Sequence, residues 1–124
     1  MNRLNSDLGW LVLRVSTALM MLLAHGWGKL ANFTTLLTKF PDPIGLGIPF
    51  SLTATVFAEV FCQAFIIVGI KTRWFAAISA VTMLVAAFVI HGNDPFASKE
   101  KALLYAVAYI AIFFSNGGKY SVKA

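Results

Sequence analysis

Charge is scarce in this chain. Only 12% of its 124 residues are charged, whereas a soluble domain carries about 25%. Chains that stay disordered combine low hydrophobicity with high charge, so disorder is excluded. Cysteine occurs once, as Cys62. No intrachain disulfide can form, and neither a CxxC redox motif nor a Cys-rich zinc site has enough thiolates. The 4 prolines all fall between the apolar runs rather than inside them.

Apolar residues, by contrast, make up 59% of the chain, above the about 45–50% of ordinary domains. Mean hydropathy is +0.79. Such a chain cannot cover a water-facing surface and uses a bilayer as its solvent. The formal charge of +5 and pI near 9.7 do not point to nucleic acid. The basic residues sit between apolar runs, where they fit anionic lipid headgroups and topology control. No basic stripe interleaved with aromatics is present.

Four apolar runs stand out, at about 8–30, 51–70, 74–91 and 99–115. A spanning helix needs ~17–25 residues. The fourth run reaches that length only from Lys99, with Lys99 and Lys101 snorkelling to the interface. Ser98 is its expected N-cap, and Asn116-Gly117-Gly118 its expected stop. The first run is read as a permanent helix. It is too long for a signal-peptide h-region, it contains Arg14, and no A-x-A-like site follows it. The fold class expected is therefore all-α, a single domain over 1–124 forming an integral four-helix transmembrane bundle.

The connections differ in kind. Ala31 to Phe50, with Pro41, Pro43, Gly45, Gly47 and Pro49, is a long loop with room for a short surface helix at Thr34–Phe40. Lys71-Thr72-Arg73 after Gly69 is a tight turn between antiparallel neighbours. Four spans put both termini on one side, with Arg3, Lys71, Arg73, Lys119 and Lys123. Lys29, Lys39, Lys99 and Lys101 fall on the other side. This slight excess places the termini in the cytoplasm.

Charge inside an apolar run is costly, about 2.5–3.5 kcal/mol at a helix centre. Arg14 and Glu59 are the two such residues. At ~1.5 Å per residue, Arg14 lies about 9 Å and Glu59 about 16 Å from the terminal side. An Arg14–Glu59 ion pair is the expected solution, with Gln63, one turn from Glu59, taking leftover donors. A second set gathers toward the opposite side. His25 and His91 both lie about 25 Å deep, with Tyr105 level and Tyr109 one turn deeper. Arg14, Ala18, Met21 and His25 share a helix face, and Lys29 follows one turn on. The expected ligand-binding set is His25, Lys29, Glu59, Tyr105 and Tyr109, opening away from the termini.

Each feature has a structural alternative. The Arg–Glu pair also serves as a clamp, and His25 and His91 as interfacial hydrogen-bonding residues. Tyr105 and Trp74 also fit an aromatic belt. Cys62 reads as an inert core residue. Gly26, Gly28, Ala76 and Ala80 read as close-packing points. His25 and His91 alone make a weak metal site, since zinc needs three or four ligands and Asp94 or Glu100 join only if the loops fold inward. A haem between the two histidines is disfavoured by the short fourth helix. No nucleophile–base–acid set is present.

The ordered polar pattern resembles the DoxX family. Leu13-Arg14, His25-Gly26 and Lys29 are similar to its first helix. Ala58-Glu59, Gly69-Ile70 and Thr72-Arg73 are similar to its second helix and turn. Asn116-Gly117-Gly118-Lys119-Tyr120-Ser121 resembles a degraded form of its "GpGrwSlD" ending, with Asn116 at the first small position and Lys123 replacing the closing acid. The resemblance covers nearly the whole chain in order. It marks Arg14, His25, Lys29, Glu59 and Arg73. It implies a small four-helix protein of the bacterial or archaeal inner membrane. The family takes its name from a subunit of a thiosulfate:quinone oxidoreductase, and other relatives work in membrane oxidoreductase complexes handling thiols and oxidative stress.

Two function classes follow. The first is a redox-linked subunit binding quinone or a similar amphipathic ligand, with quinone as the cofactor. The second is a non-catalytic adaptor docking a soluble oxidoreductase. A small transporter is disfavoured, because no inverted repeat is present. Expected partners are the lipid bilayer, an oxidoreductase subunit and further copies of the chain, with no nucleic acid.

Overall fold

Three of the apolar runs become continuous helical rods, because in a bilayer each backbone polar group must find its partner within the segment. The computed structural model describes residues 3–122. The first rod contains α1 (Arg3–Met21), a π-helical turn at Leu22–Gly26 and α2 (Trp27–Ala31). The second contains α4 (Ile48–Val56), a π turn at Phe57–Phe61 and α5 (Cys62–Val68). The third is α6 (Thr72–Val85) ending in a π turn at Ala86–Ile90. Their stretches Asn5–Ala31, Ile48–Val68 and Thr72–Ile90 are long and apolar enough to cross a membrane. The protein is thus an all-α, multi-pass membrane protein.

A further helix, α7 (Phe96–Ser115), has 20 residues. Lys99, Glu100 and Lys101 sit in its first two turns, so it is less purely apolar than the other three. It starts after Pro95, whose extended ψ of 156° ends the preceding loop. Ser98 therefore lies inside the helix and is not its N-cap. The stop is at Asn116, in the left-handed conformation at φ 58°.

The rods form a ring: α1 packs on α5, α5 on α6, α6 most extensively on α7, and α7 back on α1. The shared core includes Ala18, Met21, Ile66, Ala76, Ala80 and Ile112. Small residues let the helices approach. Gly26 lies directly against the backbone of Glu59, where a Cβ has no room. Gly28, expected to do the same, faces open space.

The turn after the second rod follows from Gly69. At φ 90° it is a left-handed helix stop, and the Gly69 and Ile70 amides both donate to the Phe65 carbonyl. Lys71 at φ 51° then opens α6. The long loop is shorter than expected, since α4 already starts at Ile48 with Pro49 in its first turn, and the expected helix at Thr34–Phe40 is instead the single turn α3 (Phe33–Leu36). The Asp42 carboxylate accepts from the Gly47 amide (3.0 Å) and the Ser51 hydroxyl (2.7 Å), fastening the loop to the start of α4.

Candidate functional site: a polar-ended cavity between the helices

Three π turns lie in the half of the protein away from the termini. In each, an amide reaches back five residues: Trp27 to Leu22, Cys62 to Phe57, and His91 to Ala86. Such turns are rare and recur at functional sites. Here they hold His25 and Glu59 and end at His91. No sequence signal marks them.

These three residues line a cavity of about 640 Å³ bordered by all three rods, α7 and the long loop. The walls are largely apolar, and Phe40, Pro41 and Ile44 of the loop cover its outer end. Its lining carries an ion pair, in which Lys29 Nζ donates to Glu59 Oε1 at 2.7 Å, and a further cation, Lys101. The Glu59 side chain is 7% exposed and that of Lys29 25%. His25 stands beside the pair with its ring edge-on to Tyr105, centroids 5.6 Å apart. The polar atoms of His25 and Tyr105 have no hydrogen-bond partner among the described residues, so their hydrogen-bonding capacity faces the cavity unspent. The structure thus brings together His25, Lys29, Glu59 and Tyr105 from the expected set.

Tyr109 belongs elsewhere. It is fully buried and does not line the cavity; its ring stacks on Tyr105 at 6.3 Å. Its hydroxyl donates to Gln63 Oε1 at 2.8 Å. Gln63 Nε2 donates in turn to the Ala58 carbonyl (2.7 Å) and to Ser79 Oγ (2.9 Å). Gln63 therefore ties α7, the second rod and α6 together beneath the cavity. It does not serve Arg14.

The expected Arg14–Glu59 pair is not formed. Arg14 Nη1 donates to the Gly117 carbonyl (3.1 Å), and Nη2 to those of Tyr120 (2.7 Å) and Ile67 (3.3 Å). The reason is register. The first rod extends past the end of the second, so Arg14 is level with Ile67 near that end. Ile67 is about 12 Å along the helix from Glu59 at ~1.5 Å per residue. Glu59 is level with Gly26, within reach of Lys29.

Arg14 instead anchors the segment after α7. Asn116, Gly117 and Gly118 all have positive φ (58°, 79° and 81°) and fold that segment back across the terminal end. The Lys119 amide donates to Asp7 Oδ1 (3.1 Å), and Ser121 packs on Gly69. The family-like ending is therefore a structural plug, which spacing alone did not show. Lys123 lies outside the described residues. Arg73 fastens the same end: Nε donates to the Phe113 carbonyl (3.0 Å) in the last turn of α7, and the guanidinium lies 5.5 Å from the Phe113 ring centroid. Trp74 is 63% exposed and meets Phe113 edge-on.

His91 Nδ1 lies 2.8 Å from Asp94 Oδ2 at the outer end. Among the described residues no three His, Cys, Asp or Glu side chains converge as a metal site. Cys62 is fully buried in the core.

The fold and this cavity define a multi-pass helical membrane protein with a small-molecule-sized, polar-ended chamber between its helices. Residues 9–92 match the DoxX family, and the chain belongs to it. No curated protein and no solved structure matches it.

Proposed function

We propose that the cavity binds a quinone or a similar amphipathic ligand and that the protein is a redox-linked membrane subunit. The observation that carries this is the cavity itself: about 640 Å³, within the roughly 300–1,000 Å³ of small-molecule sites, lined mostly by apolar side chains, with His25, Lys29, Glu59 and Tyr105 among its polar groups. Apolar faces suit a flat ring. The Lys29 ammonium, the His25 imidazole and the Tyr105 hydroxyl suit its carbonyl oxygens. Glu59 next to Lys29 is the group placed to carry a proton, and histidine exchanges protons near neutrality. Electrons come from a partner oxidoreductase subunit. Family membership supports this reading.

In this reading α7 is the fourth transmembrane helix of a four-helix bundle in the inner membrane. Its 20 residues extend about 30 Å at ~1.5 Å per residue, the thickness of a bilayer core. Lys99 and Lys101 reach the interface from its first turns. The termini face the cytoplasm.

Calorimetric titration with a short-chain benzoquinone in detergent tests the site. His25→Ala is expected to weaken binding about tenfold or more, which is ~1.4 kcal/mol. The melting temperature should hardly move, since His25 contributes a ring contact and no hydrogen bond. Unchanged binding would favour the adaptor.

A further inference from the structure

The second and third rods are joined only in their terminal half. There α5 packs on α6, and Gln63 of the second rod donates to Ser79 of the third. Beyond the π turn at Phe57–Phe61 they part. α4 packs on α2, and among the described residues it makes no more than slight contact with the third rod or α7. A π turn is a common point for a helix to change direction. The opposite seam, between the first rod and α7, is closed by the His25–Tyr105 ring contact.

The cavity reaches into this parted seam. Phe50, on α4, and Val81 and Ile90, on the third rod, line it and yet are 53%, 60% and 40% exposed. That is more surface than a closed wall leaves free, so these side chains serve the cavity and the outer face together. Two small residues flank the seam at one depth. Ala54 and Ala86 both line the cavity, and each lies about 21 Å along its rod from the Val68/Thr72 turn at ~1.5 Å per residue. Both rods are long and apolar enough to cross a membrane, so this depth is within hydrocarbon.

We infer that the seam between α4 and the third rod is a lateral opening to the bilayer, and that it seats the hydrocarbon tail of the ligand whose head lies at His25 and Lys29. This rests on the reading of the cavity given above and narrows its substrate class to tailed, bilayer-soluble molecules. A head without a tail fills only the inner part. A tail in the seam lies on apolar side chains on one side and on lipid on the other. Entry needs no passage through water, and the covering loop can remain fastened by Asp42.

The test uses two probes on the full chain in lipid nanodiscs: a benzoquinone with a decyl tail, and the same ring with a methyl group in its place. Ala54→Trp and Ala86→Trp are made separately, so that loss of folding in one leaves the other, and melting is recorded for each. The expected result is an about tenfold rise in Kd for the tailed probe, with little change for the tailless one. Equal loss of both probes, or loss of neither, in a folded variant would overturn the lateral seat while leaving the cavity reading intact. Failure of the unaltered protein to bind either probe would overturn the cavity reading, and this inference with it.

Discussion

Arg14 and Glu59 are both buried and both charged in water, yet they do unrelated work. Arg14 spends its guanidinium on three backbone carbonyls at the terminal end. Glu59 is held by Lys29. Hydrogen bonds to charged groups are worth about 1.5–3 kcal/mol each, so Arg14→Gln should destabilise the protein by at least that much. Residues without shared partners add within about 0.3–0.5 kcal/mol, while an ion-paired couple deviates by ~0.5–3 kcal/mol. Two cycles of unfolding measurements in detergent separate these cases. Arg14→Gln with Glu59→Gln should be additive, and Lys29→Gln with Glu59→Gln should not. Coupling of Arg14 to Glu59 would contradict the structure. The sequence made both charges visible, because each interrupts an apolar run at a cost. It did not reveal their partners: depth along a helix depends on where the helix starts relative to its neighbours, and contact with those neighbours sets that.

At the scale of the elements, glycine placement decides which helices touch. Gly26 lets the first rod meet the second at Glu59, and a methyl group there collides with backbone. Overpacking costs about 1–3 kcal/mol. Gly26→Ala should lower the melting temperature and weaken quinone binding as well, because Lys29 and Glu59 shift apart. Gly28→Ala, facing open space on α2, should be neutral or stabilising by up to ~1 kcal/mol. Equal effects of the two substitutions would mean that the rods do not meet at Gly26. In the folded-back segment, Gly117 has φ 79° and its Cβ position is 2.9 Å from Arg14 Cδ. Gly117→Ala should therefore reproduce much of the Arg14→Gln loss in the same melting experiment. The helical rods were legible from run length, since lipid leaves few alternatives. The stop at Asn116-Gly117-Gly118 was legible too, as left-handed turn residues. The return of the following residues onto Arg14 was not, because it depends on a contact more than a hundred positions distant. The π turns were also hidden, since no residue pattern in the runs distinguishes them from ordinary helix.

For the whole molecule, the predictions concern orientation in the membrane and occupancy of the cavity. With termini in the cytoplasm, an impermeant thiol reagent on intact cells should label Thr38→Cys in the long loop. It should not label Lys119→Cys, with Cys62→Ala as background. Both positions are exposed, whereas Ser121 is packed on Gly69 and makes a poorer reporter. Labelling of Lys119→Cys alone would reverse the orientation. The polar wall of the cavity was legible in part: His25, Lys29, Glu59 and Tyr105 stand out as polar residues in apolar runs, and they meet. Tyr109 stands out equally, one turn from Tyr105 on the same helix, yet its hydroxyl is taken by Gln63 beneath the cavity, a distinction of depth that helical periodicity does not carry. The central claim is that this wall holds the head of an amphipathic ligand. Native mass spectrometry of the protein, extracted from membranes in mild detergent, tests it most directly. The expected result is a quinone-class molecule retained by the unaltered protein and largely lost from the folded His25→Ala variant. An unaltered protein that carries no such molecule, or a variant that carries it equally, would contradict the account.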